Sequence, residues 1–134
     1  MNTIQWAEGD SVGNKEIDRQ HKELVSLTNK LFQAILEDRG YEVVLGVLYE
    51  LQQYAAYHFD YEEKLLIACD YPAIELKEHM DEHTNLKKQV NDFISEFSAY
   101  GDTLDIKVFD FLRSWTDEHL SQTDMKYRDY LKDD

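Results

Sequence analysis

Apolar residues recur along this chain at steps of three and four, the period of a helix that buries one face. Four stretches carry the pattern. The first runs Ile17, His21, Leu24, Thr28, Leu31, Ile35, and the second Val44, Val47, Leu51, Tyr54, His58, Glu62, Leu65. The third runs Leu76, His79, His83, Leu86, Val90, Phe93, Phe97, and the fourth Leu104, Val108, Leu112, Trp115, His119. No stretch repeats the period-two alternation of a half-buried strand. Breaks fall between the four. Helix A should begin near Asp18, a good N-cap, and end at Gly40. Helix B should run from about Tyr41 to Ala68. Cys69-Asp70-Tyr71-Pro72 reads as a turn, with the proline at the first position of helix C. Gly101 marks the last turn, with Asp102 or Thr103 as the cap of helix D. Short links make neighbours antiparallel. The pattern therefore predicts an all-α, up-down-up-down antiparallel four-helix bundle. It fills one domain, 1–134, with an irregular N-terminal arm over 1–17 and the bundle over about 18–132. Trp6 should anchor the arm.

Composition narrows the class. One proline and five glycines in 134 residues agree with helices throughout. Twenty-eight acidic against 14 basic residues give a net charge of -14, which repels phosphate backbones and disfavours nucleic acid as a partner. No apolar run approaches the roughly 20 residues of a membrane span. Met1 to Asp10 lacks the basic and apolar regions of a secretory signal. Cys69 stands alone, so no internal disulfide forms. A cytoplasmic protein is the expectation.

The polar residues within the stripes carry the chemistry. All five histidines, His21, His58, His79, His83 and His119, fall on inward faces, and every helix supplies at least one. His58 and Glu62 lie one turn apart on one face, as do His79 and His83. A carboxylate at an inward position is costly unless paired or bound to metal. Its neighbour Glu63 lies about 100° further round and should be solvated. Past His119 the stripe slips by one residue and resumes at Asp124, Tyr127 and Leu131. Asp124 is five residues from His119, about 140° round a regular helix. A widened turn of π type between them would restore a common face. Seven nitrogen and oxygen ligands are too many for one zinc, and suit two ions bridged by the carboxylates. Imidazole with carboxylate fits iron, and also manganese, copper or zinc. Ferritin-like di-iron sites need Glu-x-x-His on two helices. The residues three before each histidine are Asp18, Ala55, Leu76, Met80 and Thr116, so that class is disfavoured.

The chain resembles the hemerythrins, in particular the bacterial hemerythrin-like proteins. The likeness rests on Ile4-Gln5-Trp6, Ser11-Val12-Gly13-Asn14 and Ile17-Asp18-Arg19-Gln20-His21-Lys22-Glu23-Leu24. It continues through His58-Phe59-x-x-Glu62, His79-x-x-x-His83, and Trp115-x-x-x-His119 with Asp124. The resemblance implies a non-haem di-iron centre that binds dioxygen reversibly. By it, His79, His83 and His119 hold one iron and His21 and His58 the other. Glu62, Asp124 and an oxo or hydroxo group bridge the two iron ions. The two-histidine iron keeps an open position for dioxygen, or for a small anion such as azide. Leu24, Phe59, Trp115 and Thr116 would line the oxygen pocket. Delivery, storage or sensing of oxygen is the implied role. A di-iron peroxidase, oxidase or NO-handling enzyme on the same ligands is the alternative. Thr116 departs from the leucine that relatives often carry. Its hydroxyl either bonds back to the Leu112 carbonyl or faces the pocket.

Overall fold

The structure, a computed structural model, describes residues 4–37, 40–100 and 105–133. Four helices carry it: α1 (Lys15–Leu36), α2 (Tyr41–Ala68), α3 (Ala73–Tyr100) and α4 (Asp105–Glu118). Beyond α4 the chain stays helical but changes type. A π turn (His119–Thr123) leads into a 3-10 turn (Asp124–Tyr127) and a last short helix, α5 (Arg128–Leu131). α1 packs on α2 and α4, and α3 packs on α2 and α4, which closes a four-helix bundle. Among the described residues there is no strand, and no helix is long and apolar enough to cross a membrane.

The helix ends differ in detail from the pattern reading. α1 starts before Asp18. Asn14 is the N-cap, its side-chain oxygen accepting the Ile17 N–H at 3.1 Å. Asp18 lies inside the first turn, where its carboxylate accepts the Val12 N–H at 2.9 Å and the Ser11 hydroxyl at 2.5 Å. An asparagine caps as well as an aspartate, so the acid is free to tie the arm down, and the arm ends at Asn14. Trp6 is half-buried, with the Lys22 ammonium 5.5 Å from its ring centre. Gly13, at φ 79, turns the chain against the C-terminal segment; its carbonyl accepts the Asp133 N–H at 2.7 Å.

Gly40 does not close α1, which ends at Leu36. It stands at φ 96 immediately before α2. α2 ends in a Schellman turn: Asp70 takes the left-handed conformation at φ 57, and the Tyr71 N–H reaches the Leu66 carbonyl at 3.1 Å. Pro72 precedes α3 as its cap rather than as its first residue, since its carbonyl already accepts the Leu76 N–H at 2.8 Å. Gly101, Asp102, Thr103 and Leu104 lie outside the described residues, as does the side chain of Phe97.

Two apolar clusters hold the bundle. The larger includes Leu31, Leu48, Leu51, Val90, Val108 and Leu112, each 6% exposed or less. The smaller joins Val12 and Ile17 to Leu66, Tyr71, Tyr127 and Leu131, and so draws arm, helices and C-terminus together. Full burial of one such side chain is worth about 1.5–3 kcal/mol. The buried polar residues Gln20, His21, His58, Glu62, His79, His83, His119 and Asp124 sit amid this apolar packing, all 2% exposed or less. Apolar burial of this extent is what lets the fold carry the desolvation of so many polar groups.

Candidate metal centre

The ligand-type residues sit near the start of α1, the end of α2, the start of α3 and the end of α4. Antiparallel packing brings those four ends to one level. All five histidines turn Nε2 inward. His21 Nε2 lies 3.3 Å from Glu62 and 3.1 Å from Asp124, and His58 Nε2 is 3.1 Å from Glu62. His79 Nε2 lies 2.5 Å from Glu62 and 3.1 Å from Asp124. His83 Nε2 is 3.2 Å from Glu62, and His119 Nε2 is 3.0 Å from Asp124. The candidate ligand atoms form two groups, each within 4.8 Å: Glu62, His79, His83, His119 and Asp124 in one, His21, His58, Glu62 and Asp124 in the other. Both carboxylates belong to both groups.

Three of the inward nitrogens are set by what the other ring nitrogen does. His58 Nδ1 donates to Gln20 Oε1 at 2.8 Å, His83 Nδ1 to Glu63 at 2.7 Å and His119 Nδ1 to Glu82 at 3.0 Å. Each bond fixes the tautomer and leaves the Nε2 lone pair facing the centre. His83 Nε2 and His119 Nε2 then stand 3.1 Å apart. Two lone pairs so close repel unless a proton or a cation lies between them. His58 Nε2 and both Asp124 oxygens have no hydrogen-bond partner although fully buried. Atoms of that kind are costly to leave unpaired. This donor set fits a bound cation, and the buried cluster is a metal site.

Electrostatics agree. Burial alone would raise Glu62, but His58, His21 and His79 hold it well below the carboxylate range. Burial and the charge of Glu62 would raise Asp124, yet His119 and His21 hold it well below too. Burial would lower the imidazoles, but the two carboxylates prevail and raise His79 to about 10 and His21 and His119 to about 9. At His58 burial wins, and its pKa falls. Burial first, then Asp124 and Glu62, push the Tyr127 phenol well above its usual range, so it stays a donor. Its O–H reaches Glu62 Oε2 at 2.8 Å.

The π turn expected between His119 and Asp124 is present over His119–Thr123, closed by the Asp124 N–H on the His119 carbonyl. Of the residues expected at an oxygen pocket, Leu24, Trp115 and Thr116 line an enclosed cavity of about 20 Å³ that reaches His119. Phe59 does not line that cavity itself; it stacks on His83 with ring centres 3.8 Å apart, and its ring centre lies 5.8 Å from that of Trp115 and 6.2 Å from that of His119, which do. Thr28 closes its hydroxyl onto the Leu24 carbonyl at 2.9 Å, whereas Thr116 makes no such bond to Leu112.

Four supporting residues escaped the pattern reading. Glu63 was expected in solvent, but its side chain is only 19% exposed and accepts from His83. Glu82, on the flank of α3, reaches His119. Gln20 had a legible signal, standing three residues after Ile17 on the inward face. Tyr127 stands on the resumed stripe, which gives its place in the core but not the bond of its phenol to Glu62. Glu63 and Glu82 each adjoin a ligand in sequence, and at the rim of a bundle such a neighbour reaches across to the next helix.

The family model of the hemerythrin HHE cation binding domain matches residues 12–131. A bacteriohemerythrin of Clostridium acetobutylicum is 29% identical over 92% of this chain and 98% of its own length. A bacteriohemerythrin of Pseudomonas aeruginosa is 26% identical over 98% of this chain and 84% of its own. A hemerythrin-like protein of Naegleria gruberi is 26% identical, covering 96% of this chain and 93% of its own. A crystal structure of a leucine-to-phenylalanine mutant superposes with a TM-score of 0.89 over 99% of this chain and all of that one, at 23% identity, a likeness of fold. With a family model matched over nine-tenths of its length and a buried histidine–carboxylate metal site in its core, the chain belongs to the hemerythrin family.

Proposed function

We propose that this chain binds dioxygen reversibly at a non-haem di-iron centre, for delivery, storage or sensing. The observation that carries the reading is the division of the ligand atoms into two groups sharing Glu62 and Asp124. His79, His83 and His119 would hold one iron and His21 and His58 the other. The shared carboxylates would bridge them, with an oxo or hydroxo group between. When bound, a pair of ferrous ions supplies the two electrons that capture of dioxygen requires.

The chain's own residues do the rest. Gln20, Glu63 and Glu82 orient three imidazoles. Tyr127 donates a hydrogen bond to Glu62 and so fixes one shared carboxylate. Apolar side chains exclude water and protons. The two-histidine half has one imidazole fewer, which leaves room for dioxygen or for an anion such as azide. The cavity by Thr116 is large enough for about one water-sized guest. The single cysteine and the net charge of -14 suit a cytoplasmic setting.

The test is an optical spectrum of the reduced protein before and after air, with iron quantified per chain. Two irons and a visible band that appears with air and reverses when oxygen is removed are expected. One zinc per chain, or no band, would refute the reading. A second reading, a di-iron oxidase or peroxidase, draws on one observation: the Thr116 hydroxyl brings a polar group to a mostly aliphatic cavity that reaches His119. Catalytic turnover with a reductant, in place of a reversible band, would favour it.

A further inference from the structure

The π turn raises a question of its own. A π turn is rare, a single-turn bulge in the α-helix it interrupts, so what holds it open bears on the site. Its two ends meet one side chain from another helix. Glu82 Oε1 accepts from His119 Nδ1 at 3.0 Å and from the Thr123 hydroxyl at 2.8 Å, and Glu82 Oε2 lies 3.0 Å from the same hydroxyl. His119 is the first residue of the turn and Thr123 the last. Asp124 follows at once, and its Oδ1 comes 3.0 Å from His119 Nε2. In a regular helix the two would point about 140° apart. One carboxylate thus grips the segment whose widening makes His119 and Asp124 face the same point.

We propose that Glu82 is a positioning residue: it clamps the π turn through His119 and Thr123 and thereby sets Asp124 as a ligand common to both halves of the metal centre. α3 supplies ligand and clamp from adjoining positions, since Glu82 precedes His83. The Glu82 side chain is 40% exposed, so replacing it removes hydrogen bonds and little packing. The proposal rests on the metal-centre reading, and its test separates the two.

The full chain, stripped of metal by a chelator, is titrated with cobalt(II) and followed by visible absorption, with amide exchange at Asp124 as a second readout. Glu82→Ala should weaken cobalt binding about 10- to 100-fold, the range for removal of such supporting partners. It should also change the visible band of both ions and speed exchange of the Asp124 amide. Thr123→Val, which keeps the bond to His119, should shift the same readouts less. Glu82→Gln keeps an oxygen that accepts from both partners without the charge, and should stay close to wild type. An unchanged band and affinity in Glu82→Ala would overturn the proposal. So would Glu82→Gln as impaired as Glu82→Ala, because charge and not the clamp would then be at work. If Glu82→Ala fails to fold, Thr123→Val decides, and a wild-type response in it counts against the clamp. Wild-type protein that binds no cobalt would overturn the metal-centre reading and the clamp with it.

Discussion

The two halves of the centre use the same kinds of ligand in different settings. Around His79, His83 and His119, two imidazoles donate to carboxylates, Glu63 and Glu82. The same two lie against aromatic faces: Phe59 on His83 at 3.8 Å and 9°, Trp115 on His119 at 4.3 Å and 15°. Around His21 and His58 the backing is thinner. His58 donates to the neutral Gln20; His21 Nδ1, like His79 Nδ1 in the other half, is buried with no partner. Hydrogen bonds to charged groups contribute about 1.5–3 kcal/mol against about 0.5–1.5 for neutral ones. The three-histidine half therefore has the stronger hydrogen-bonded support. On the proposed function, the difference would suit a division of labour in which one half retains its ion and the other meets the ligand.

The largest effect should come from removing what the halves share. Glu62→Ala or Asp124→Ala deletes a ligand from both groups, and iron should fall from two per chain to one or fewer, with the oxygen-dependent band lost. Chelation of the wild type tests the same link through stability. At free metal 100 times its dissociation constant, binding only to the folded state is worth about 2.7 kcal/mol. Metal-free protein should melt at a lower temperature by calorimetry, and an unchanged midpoint would show that the buried polar layer needs no cation. His21→Ala then sets one half against the other. Iron bound by the three-histidine group should persist while its partner is lost; equal loss of both would mean that the halves are not independent.

How far all this could be read in the chain depends on the period. Residues that repeat at three and four, such as Leu31, Leu48 and Val90, declare the core face directly. The five histidines and Glu62 sit on the same stripes, so the cluster was legible with the bundle. Asp124 was legible for a subtler reason: the stripe slips by one after His119, and only a widened turn mends it. Glu63 and Glu82 were not legible in this way. They lie one step off the stripe, where period alone says solvent, and their partners belong to other helices. The cap at Asn14 was missed because Asp18 is as good a cap by residue type, and only the packed arm, which needs the Asp18 carboxylate for Ser11 and Val12, decides between them.

Those off-stripe residues allow a finer comparison. Glu63→Ala strips His83 of a charged partner, and Gln20→Ala strips His58 of a neutral one. Both should weaken metal binding, within the 10- to 100-fold range roughly expected for outer partners. The glutamate should cost more, and its loss should fall on the three-histidine half. Iron content and competition with a chelator measure it. A larger loss in Gln20→Ala would reverse the ranking of the two halves.

The smallest expected effect is at Thr116, which lines the cavity beside His119 and is 6% exposed. Thr28, in the same cavity, hides its hydroxyl on the Leu24 carbonyl; Thr116 does not close onto Leu112 in that way. Its hydroxyl is thus available to a guest, or to a water, in a space whose other walls are mostly aliphatic. On the proposed function, a donor there would help protons reach bound oxygen, and would so shorten the life of the oxygenated protein and favour its oxidised form. Thr116→Leu removes the donor and fills the cavity with an extra methyl-bearing carbon. It should lengthen the lifetime of the oxygen-dependent band by up to about tenfold, a barrier change of about 1.4 kcal/mol. Thr116→Val removes the donor but keeps the shape, so it should recover the part of the effect that belongs to hydrogen bonding alone. Decay of the band after mixing with air, followed in the three proteins at one pH, separates the two contributions. Decay that is unchanged or faster in Thr116→Leu would show that the hydroxyl has no part in the stability of the oxygenated state.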